Sequence, residues 1–253
     1  MEVWKLDLLD MFKDKEYTST SGNVKYRLFV PENFDKTKEN KMIIWLHGAE
    51  SQGDDNTQQI KNYENFIKKL LKNQIASNCI IFAPQCPENE KWVNSRLDKK
   101  PESYDSTIIA ETSEIKLLID AISSVKKNYN IDSKDVLGIG FSLGAFALWD
   151  MAVRHPGFIS RMVVVSGGCD YRKAKIVANM NKIIAYHSTN DPYINVSGVM
   201  LMSEALKKID GGILELKTFE SDEHYILDKI NIDDLMQNLV SDATKLDAQR
   251  QML

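Results

Sequence analysis

Cysteine is scarce in this chain of 253 residues: there are three, Cys79, Cys86 and Cys169. Three cannot all pair within one chain, and they do not form a close metal-ligand cluster, so free thiols are expected. Long apolar runs are missing too. No stretch approaches the length that crosses a bilayer, and Met1-Glu2-Val3-Trp4-Lys5-Leu6-Asp7 carries acidic residues where a secretory leader has an apolar core. A cytoplasmic protein without a membrane partner is expected. Nor is there an excess of positive charge: 32 Lys plus Arg stand against 36 Asp plus Glu, for a net charge of -4. Nothing general therefore attracts nucleic acid or anionic lipid, and a small neutral or mildly polar substrate fits better. Repeats, low-complexity segments and an internal linker are also absent, because Pro, Gly and Ser are scattered among the turns. With 43% hydrophobic residues, the reading is one domain over residues 1–253 with a substantial core.

What is present is an alternation of strand and helix patterns. Residues 3–9 and 24–30 alternate as an antiparallel pair would, with Ser21-Gly22-Asn23 as turn material. Met42-Ile43-Ile44-Trp45-Leu46 is a continuous apolar run, as in a strand covered on both faces. Further strands are expected at Cys79–Ala83, Asp135–Ile139, Arg161–Ser166, Lys182–His187 and Ile213–Phe219. Helices are expected over 58–72, 107–128, the stretch after Ser142, 196–209 and 232–249. A loop of over twenty residues separates Pro84 from Ser106, a length that is usually functional or disordered. The economical architecture is a mostly parallel sheet with helices on both faces.

One stretch carries chemistry. Val136 to Ile139 reads as a buried strand, Gly140-Phe141-Ser142-Leu143-Gly144 is G-x-S-x-G, and a helical pattern follows from Ala145. Placement between strand and helix makes this a nucleophile elbow, with Ser142 as nucleophile above a helix N-terminus. A serine hydroxyl needs a base and a third group to orient that base. The chain has only four histidines. His47 ends a strand and shapes the loop that follows, and His155 lies roughly 18 Å along the elbow helix at 1.5 Å rise per residue. His187 closes a strand and is the lesser alternative to His224, which sits in the polar loop after the last strand, where the order Ser, acid, His requires it. Asp191, in a loop at the carboxyl end of a strand, is the favoured acid and Asp170, one strand earlier, the alternative. Oxyanion donors are expected from the backbone N–H groups of Ala49 and Leu143, although His47-Gly48 also reads as a plain strand-ending turn. Glu50 beside that turn is unusual, because a carboxylate would oppose a developing oxyanion; it is read as pointing into solvent. Asp54-Asp55-Asn56 and Asp233-Asp234 read as helix caps, not metal ligands, and no cofactor or metal is implied.

With these residues assembled, the chain resembles the α/β-hydrolase fold. Within it, the chain is similar to small lidless carboxylesterases related to predicted peptidases, feruloyl-esterase-like enzymes and phospholipase/carboxylesterases. The resemblance spans about residues 24–240. It rests on Trp45 to Ala49 followed by Gly53 to Asn56, Ala83 to Pro87 leading to Trp92, Tyr129 to Asp132, the elbow, Asn190-Asp191-Pro192 and His224. It departs at Glu50, at Ala145 and after His224, where relatives follow other patterns. The resemblance implies Ser142, Asp191 and His224 as triad, Ala49 and Leu143 as oxyanion donors, and Trp92 as a wall of the substrate pocket; Trp92 as a mere loop anchor is the alternative. No room remains between Ser142 and Asp191 for a cap domain, so an open site is expected. The function expected is hydrolysis of small acyl esters, including acetylated or feruloylated sugars, by a monomer or homodimer. Thioester or peptide cleavage by the same triad is the runner-up, and a non-catalytic binding protein on the same fold comes from a different class.

Overall fold

The run from Met42 to Leu46 is apolar at every position because both of its faces are covered. Met42, Ile44 and Leu46 join one buried cluster, Ile43 and Trp45 another. Side chains alternate across a strand, so a continuous apolar run is divided between two cores. In the computed structural model, which describes residues 7–95 and 104–240, this run lies in the third of eight strands. They are β1 (Lys13–Ser19), β2 (Gly22–Phe29), β3 (Asn40–Leu46), β4 (Ile80–Pro84), β5 (Ile131–Phe141), β6 (Arg161–Val165), β7 (Lys182–Ser188) and β8 (Leu214–Phe219). Their order across the sheet is β1-β2-β4-β3-β5-β6-β7-β8. β2 pairs antiparallel with β1 and with β4, and all other neighbours run parallel.

The helices are α1 (Gln58–Lys61), α2 (Glu64–Lys72), α3 (Ser113–Asn128), α4 (Leu143–Arg154), α5 (Ala174–Val177), α6 (Ser197–Leu206) and α7 (Ile232–Val240). Ile115, Leu118 and Ile122 of α3 and most of α4 pack on the face that holds Met42 and Ile44. Phe66, Ile67 and Leu70 of α2 and Leu235, Met236 and Leu239 of α7 cover the face that holds Ile43 and Trp45. Between Ser142 and Asp191 the chain holds only α4, β6, a 3-10 turn, α5 and β7, so no cap is inserted there. No helix among the described residues is long and apolar enough to cross a membrane.

Several boundaries differ from the sequence expectation. The partner of β2 is not 3–9: Leu8–Met11 is a 3-10 turn, and the pairing strand is Lys13–Ser19. Its first four residues are exposed, because β1 is an edge strand, where charge replaces apolar alternation and blocks further pairing. The expected helix 58–72 is broken into α1 and α2. The helix expected from 107 begins at Ser113, where the Thr112 side chain accepts from the Ile115 N–H at 3.1 Å. Ile108, whose spacing extended the apparent stripe, is 81% exposed. Residues 3–6 of the expected first strand, 96–103 of the expected long loop and 241–249 of the expected last helix lie outside the described residues.

Thr112 does more than cap. Its Oγ1 also donates to the carbonyl of Trp92 at 2.6 Å, joining α3 to the start of the segment that precedes it. Thr112→Ala removes a cap and leaves a buried carbonyl unpaired, and should destabilise the protein by about 1–2 kcal/mol. Urea unfolding at neutral pH reads this, and an unchanged midpoint would show that neither bond matters.

Candidate active site

Parallel pairing brings the ends of five strands to one edge. Leu46 pairs with Gly140, Phe141 with Val165, Val165 with Tyr186 and Ser188 with Phe219. The turn at His47 to Ala49, Ser142, the loop around Asp191 and the loop around His224 therefore emerge side by side.

At the elbow the chain turns sharply. Ser142 has φ 51° and ψ -114°, in the left-handed half of backbone space that a non-glycine residue occupies only when its surroundings over-determine it. Its N–H donates to the Val165 carbonyl at 2.9 Å, and its carbonyl accepts from Ala145 and Phe146 at 3.0 and 3.1 Å. The turn also needs bare neighbours. A Cβ on Gly140 would sit 2.5 Å from the Gly144 carbonyl oxygen, and one on Gly144 would sit 2.0 Å from that of Leu46. α4 thus starts hard against β3, with its N-terminal partial positive charge beneath Ser142.

The hydroxyl of Ser142 is 2.9 Å from His224 Nε2, and His224 Nδ1 is 2.7 Å from Asp191 Oδ2. An ionised carboxylate only accepts, so Nδ1 carries the proton and Nε2 presents its lone pair to Ser142. Asp191 is fixed in turn: Oδ1 accepts from the N–H groups of Tyr193 and Ile194, both at 2.9 Å. Burial pushes the Asp191 carboxyl up, but the bond from His224 and the two backbone N–H groups outweigh it and hold its pKa below the ordinary value.

The remaining candidates are bonded to other groups, and of them only His187 also faces Asp191, its Nε2 3.5 Å from Oδ2. Asp170 accepts from the Ser106 N–H and hydroxyl at 3.0 and 2.9 Å and from Arg172 Nε at 2.7 Å. It ties residues 104–106 to the end of β6 and does not meet a histidine. His187, buried, directs Nε2 to the Ile194 carbonyl at 2.9 Å. His155 pairs with Glu111 at the far end of α4. Trp92 is fully buried, its ring 6.2 Å from His47. It does not line the cavity beside His224. Asp55 accepts from the Thr57 and Gln58 N–H groups at 2.9 and 3.3 Å, which is a cap on α1.

Ala49 and Leu143 are each the first residue of a helical turn. Their N–H groups have no acceptor within their own turn, as at any helix start. Beside His224 opens a cavity of about 550 Å³ lined by Glu50, Asn62, Phe141, Tyr193 and residues 222–225. Glu50, read from sequence as pointing into solvent, is exposed, but it lines this cavity and is held by the Tyr63 hydroxyl.

Sequence reasoning missed the groups that steady His224. Ser166, at φ 50°, donates its hydroxyl to the His224 carbonyl at 2.8 Å. Phe141 and Tyr193 flank the imidazole with ring centroids at 5.1 and 5.3 Å. Ser166-Gly167-Gly168 at a strand end was the available signal for the first. The two aromatics are adjacent or nearly so to Ser142 and Asp191 in sequence, but nothing in their spacing pointed at His224.

A family model described as phospholipase/carboxylesterase matches residues 33–238. Among solved structures, a thermostable esterase is similar at 22% identity and TM-score 0.74, over 92% of this chain and 61% of its own. The chain thus spans less than two thirds of that relative's length. A ferulic acid esterase is similar at 13% identity and TM-score 0.65, over 90% of this chain and 96% of its own. A carboxylesterase from Mesorhizobium loti is similar at 16% identity and TM-score 0.59, over 90% and 99%. At such identities these structures speak to the fold, which is the α/β-hydrolase fold. No curated protein matches the sequence.

His47, buried at the end of β3, donates Nδ1–H to the Gly48 carbonyl at 2.6 Å and accepts the Cys86 N–H on Nε2 at 2.9 Å. Burial pushes its pKa from the ordinary 6.5 down to about 4, with the Gly48 bond partly opposing. The unfolded chain then binds more protons than the native one below pH 6.5. Stability from this group is complete above that pH and is lost as pH falls towards 4. Burial lowers His187 in the same direction. Unfolding free energy should fall by about 2 kcal/mol between pH 8 and pH 5 on account of His47, and His47→Gln should remove that part of the slope. Urea unfolding across this range checks it; an equally steep slope in the variant would exclude His47 as the source.

Proposed function

The chain belongs to the phospholipase/carboxylesterase family of carboxylic ester hydrolases, and on that premise we propose that it cleaves esters of small acyl groups through an acyl-enzyme on Ser142. The observation that carries this reading is the unbroken chain of bonds from Asp191 through His224 to Ser142, at 2.7 and 2.9 Å. His224 Nε2 takes the Ser142 proton as Oγ attacks the ester carbonyl, and Asp191 keeps the imidazole in the required tautomer and stabilises the imidazolium. The N–H groups of Ala49 and Leu143 receive the oxyanion. Collapse of the tetrahedral species breaks the bond to the alcohol oxygen, which takes the proton from His224. Water, losing a proton to His224, then attacks the acyl carbonyl; the acid departs and Ser142 recovers its proton.

Acetylated and feruloylated sugars are the proposed substrates, supported by the open edge and by likeness in fold to a ferulic acid esterase. Three buried free thiols support the reducing environment of the cytoplasm as its place of action.

The test is hydrolysis of p-nitrophenyl acyl esters of increasing chain length, and of methyl ferulate, by wild type and variants. Ser142→Ala should lower kcat about 10⁵-fold or more and Asp191→Asn about 10⁴-fold. Asp170→Asn, if folded, should not lower it. A fluorophosphonate should label the wild type and not Ser142→Ala. An unlabelled, well-folded wild type would turn the reading into a binding protein, and full loss with Asp170→Asn but not Asp191→Asn would reassign the acid.

A further inference from the structure

Glu50 stands beside the turn that carries Ala49, where a free carboxylate would oppose a developing oxyanion, yet it is built into place. Tyr63 is fully buried, with its ring edge-on to Trp45 at 5.0 Å and stacked on Tyr225 at 6.3 Å. Its oxygen accepts the Gly48 N–H at 2.7 Å, and its hydroxyl donates to Glu50 Oε1. Burial, and then the Glu50 carboxylate, push the Tyr63 phenol well above its ordinary pKa, so it stays a donor.

The cavity over which Glu50 is held has one sign of charge. Asp222 and Glu223 line it too, and among the described lining residues there is no Lys or Arg. Glu223 is paired with Lys229 at 2.8 Å; Glu50 and Asp222 have no cationic partner among the described residues. The rings of Phe141, Tyr193 and Tyr225 supply aromatic surface in the same space, and aromatic faces attract cations. In the catalytic reading above, on which this inference rests, the leaving alcohol takes its proton from His224. The alcohol part of an ester therefore departs on the His224 side, where this cavity opens.

We propose that Glu50, fixed by the Tyr63 hydroxyl at the rim of the cavity beside His224, is a specificity-determining residue that selects esters by the charge of their alcohol part, favouring cationic over anionic alcohols.

Three acetate esters test it at low ionic strength: acetylcholine, its neutral isostere 3,3-dimethylbutyl acetate, and 4-acetoxybutanoate. Wild type should rank them cationic, neutral, anionic by kcat/KM. Glu50→Gln, which keeps an acceptor for Tyr63, should shrink the cationic-to-anionic ratio about tenfold, the order one unit charge exerts on two opposite charges a few ångströms away. Glu50→Asp should retain the ranking, and about 1 M salt should compress it. Equal ratios in wild type and Glu50→Gln would overturn the proposal. So would a common acceleration of all three esters, which would make Glu50 a brake on the oxyanion. A readout without turnover is the binding of phenyltrimethylammonium to Ser142→Ala by calorimetry, expected to weaken in the double variant with Glu50→Gln. Equal affinities would overturn the charge preference. Glu50-dependent binding with no ester hydrolysed by wild type would sink the catalytic reading and support the charge preference.

Discussion

The edge at which Ser142 stands exists because Gly144 has no side chain. α4 starts so close to β3 that a Cβ there would lie 2.0 Å from the Leu46 carbonyl oxygen, and no rotamer relieves a clash with backbone. Only this approach lets the helix begin immediately after β5, with Ser142 forced into the turn between them. The left-handed backbone of Ser142 is held by bonds on both sides, to Val165 and from Ala145 and Phe146. One strand over, Ser166 turns the same way at φ 50°, and its freed hydroxyl takes hold of the His224 carbonyl. Two neighbouring serines at strand ends thus meet one histidine, one at its Nε2 and one at its backbone carbonyl.

Burial alone does not decide which acid orients His224. Asp170 and Asp191 both follow parallel strands, and both carboxylates are fully buried. They differ in what is left over. Ser106 and Arg172 take both oxygens of Asp170, whereas Tyr193 and Ile194 take only Oδ1 of Asp191 and leave Oδ2 for the imidazole. The same sorting separates the histidines. His47 and His187 each meet a backbone carbonyl through one nitrogen, which commits that nitrogen as a donor. Of the four, His224 has a carboxylate on one nitrogen and a serine hydroxyl on the other.

Those distinctions explain what the sequence could and could not reveal. Parallel strands covered on both faces were legible because burial on two sides leaves unbroken apolar runs such as Met42 to Leu46 and Ile183 to Tyr186. The elbow was legible because close approach admits only glycine at 140 and 144. β1 was not, since an exposed edge strand carries Lys13, Asp14, Lys15 and Glu16, and a more apolar stretch nearby imitated it. Ile108 extended the stripe of α3 in spacing while standing in solvent. The burial of Trp92 was not legible either, because it arises from packing against residues distant in sequence, His47 among them. Glu50 had no sequence signal for its direction, because the partner that holds it, Tyr63, lies between two short helices whose break was itself not anticipated.

Charge around His224 is divided in space. On the Ser142 side lies the N-terminal end of α4, with partial positive charge; on the outer side lie Glu50, Asp222 and Glu223. In the proposed reaction negative charge develops at the first and positive charge on the imidazole between them. The outer carboxylates then favour the imidazolium and oppose the oxyanion, and distance decides the balance, since Coulomb energy falls with separation and water in an open cavity damps the longer path. A carboxylate free to swing towards Ala49 would tip that balance against catalysis. The bond from Tyr63, itself anchored on the Gly48 N–H, fixes Glu50 by the same turn that presents Ala49. The negative charge of Glu50 and the oxyanion donor proposed at Ala49 are therefore tied to one turn.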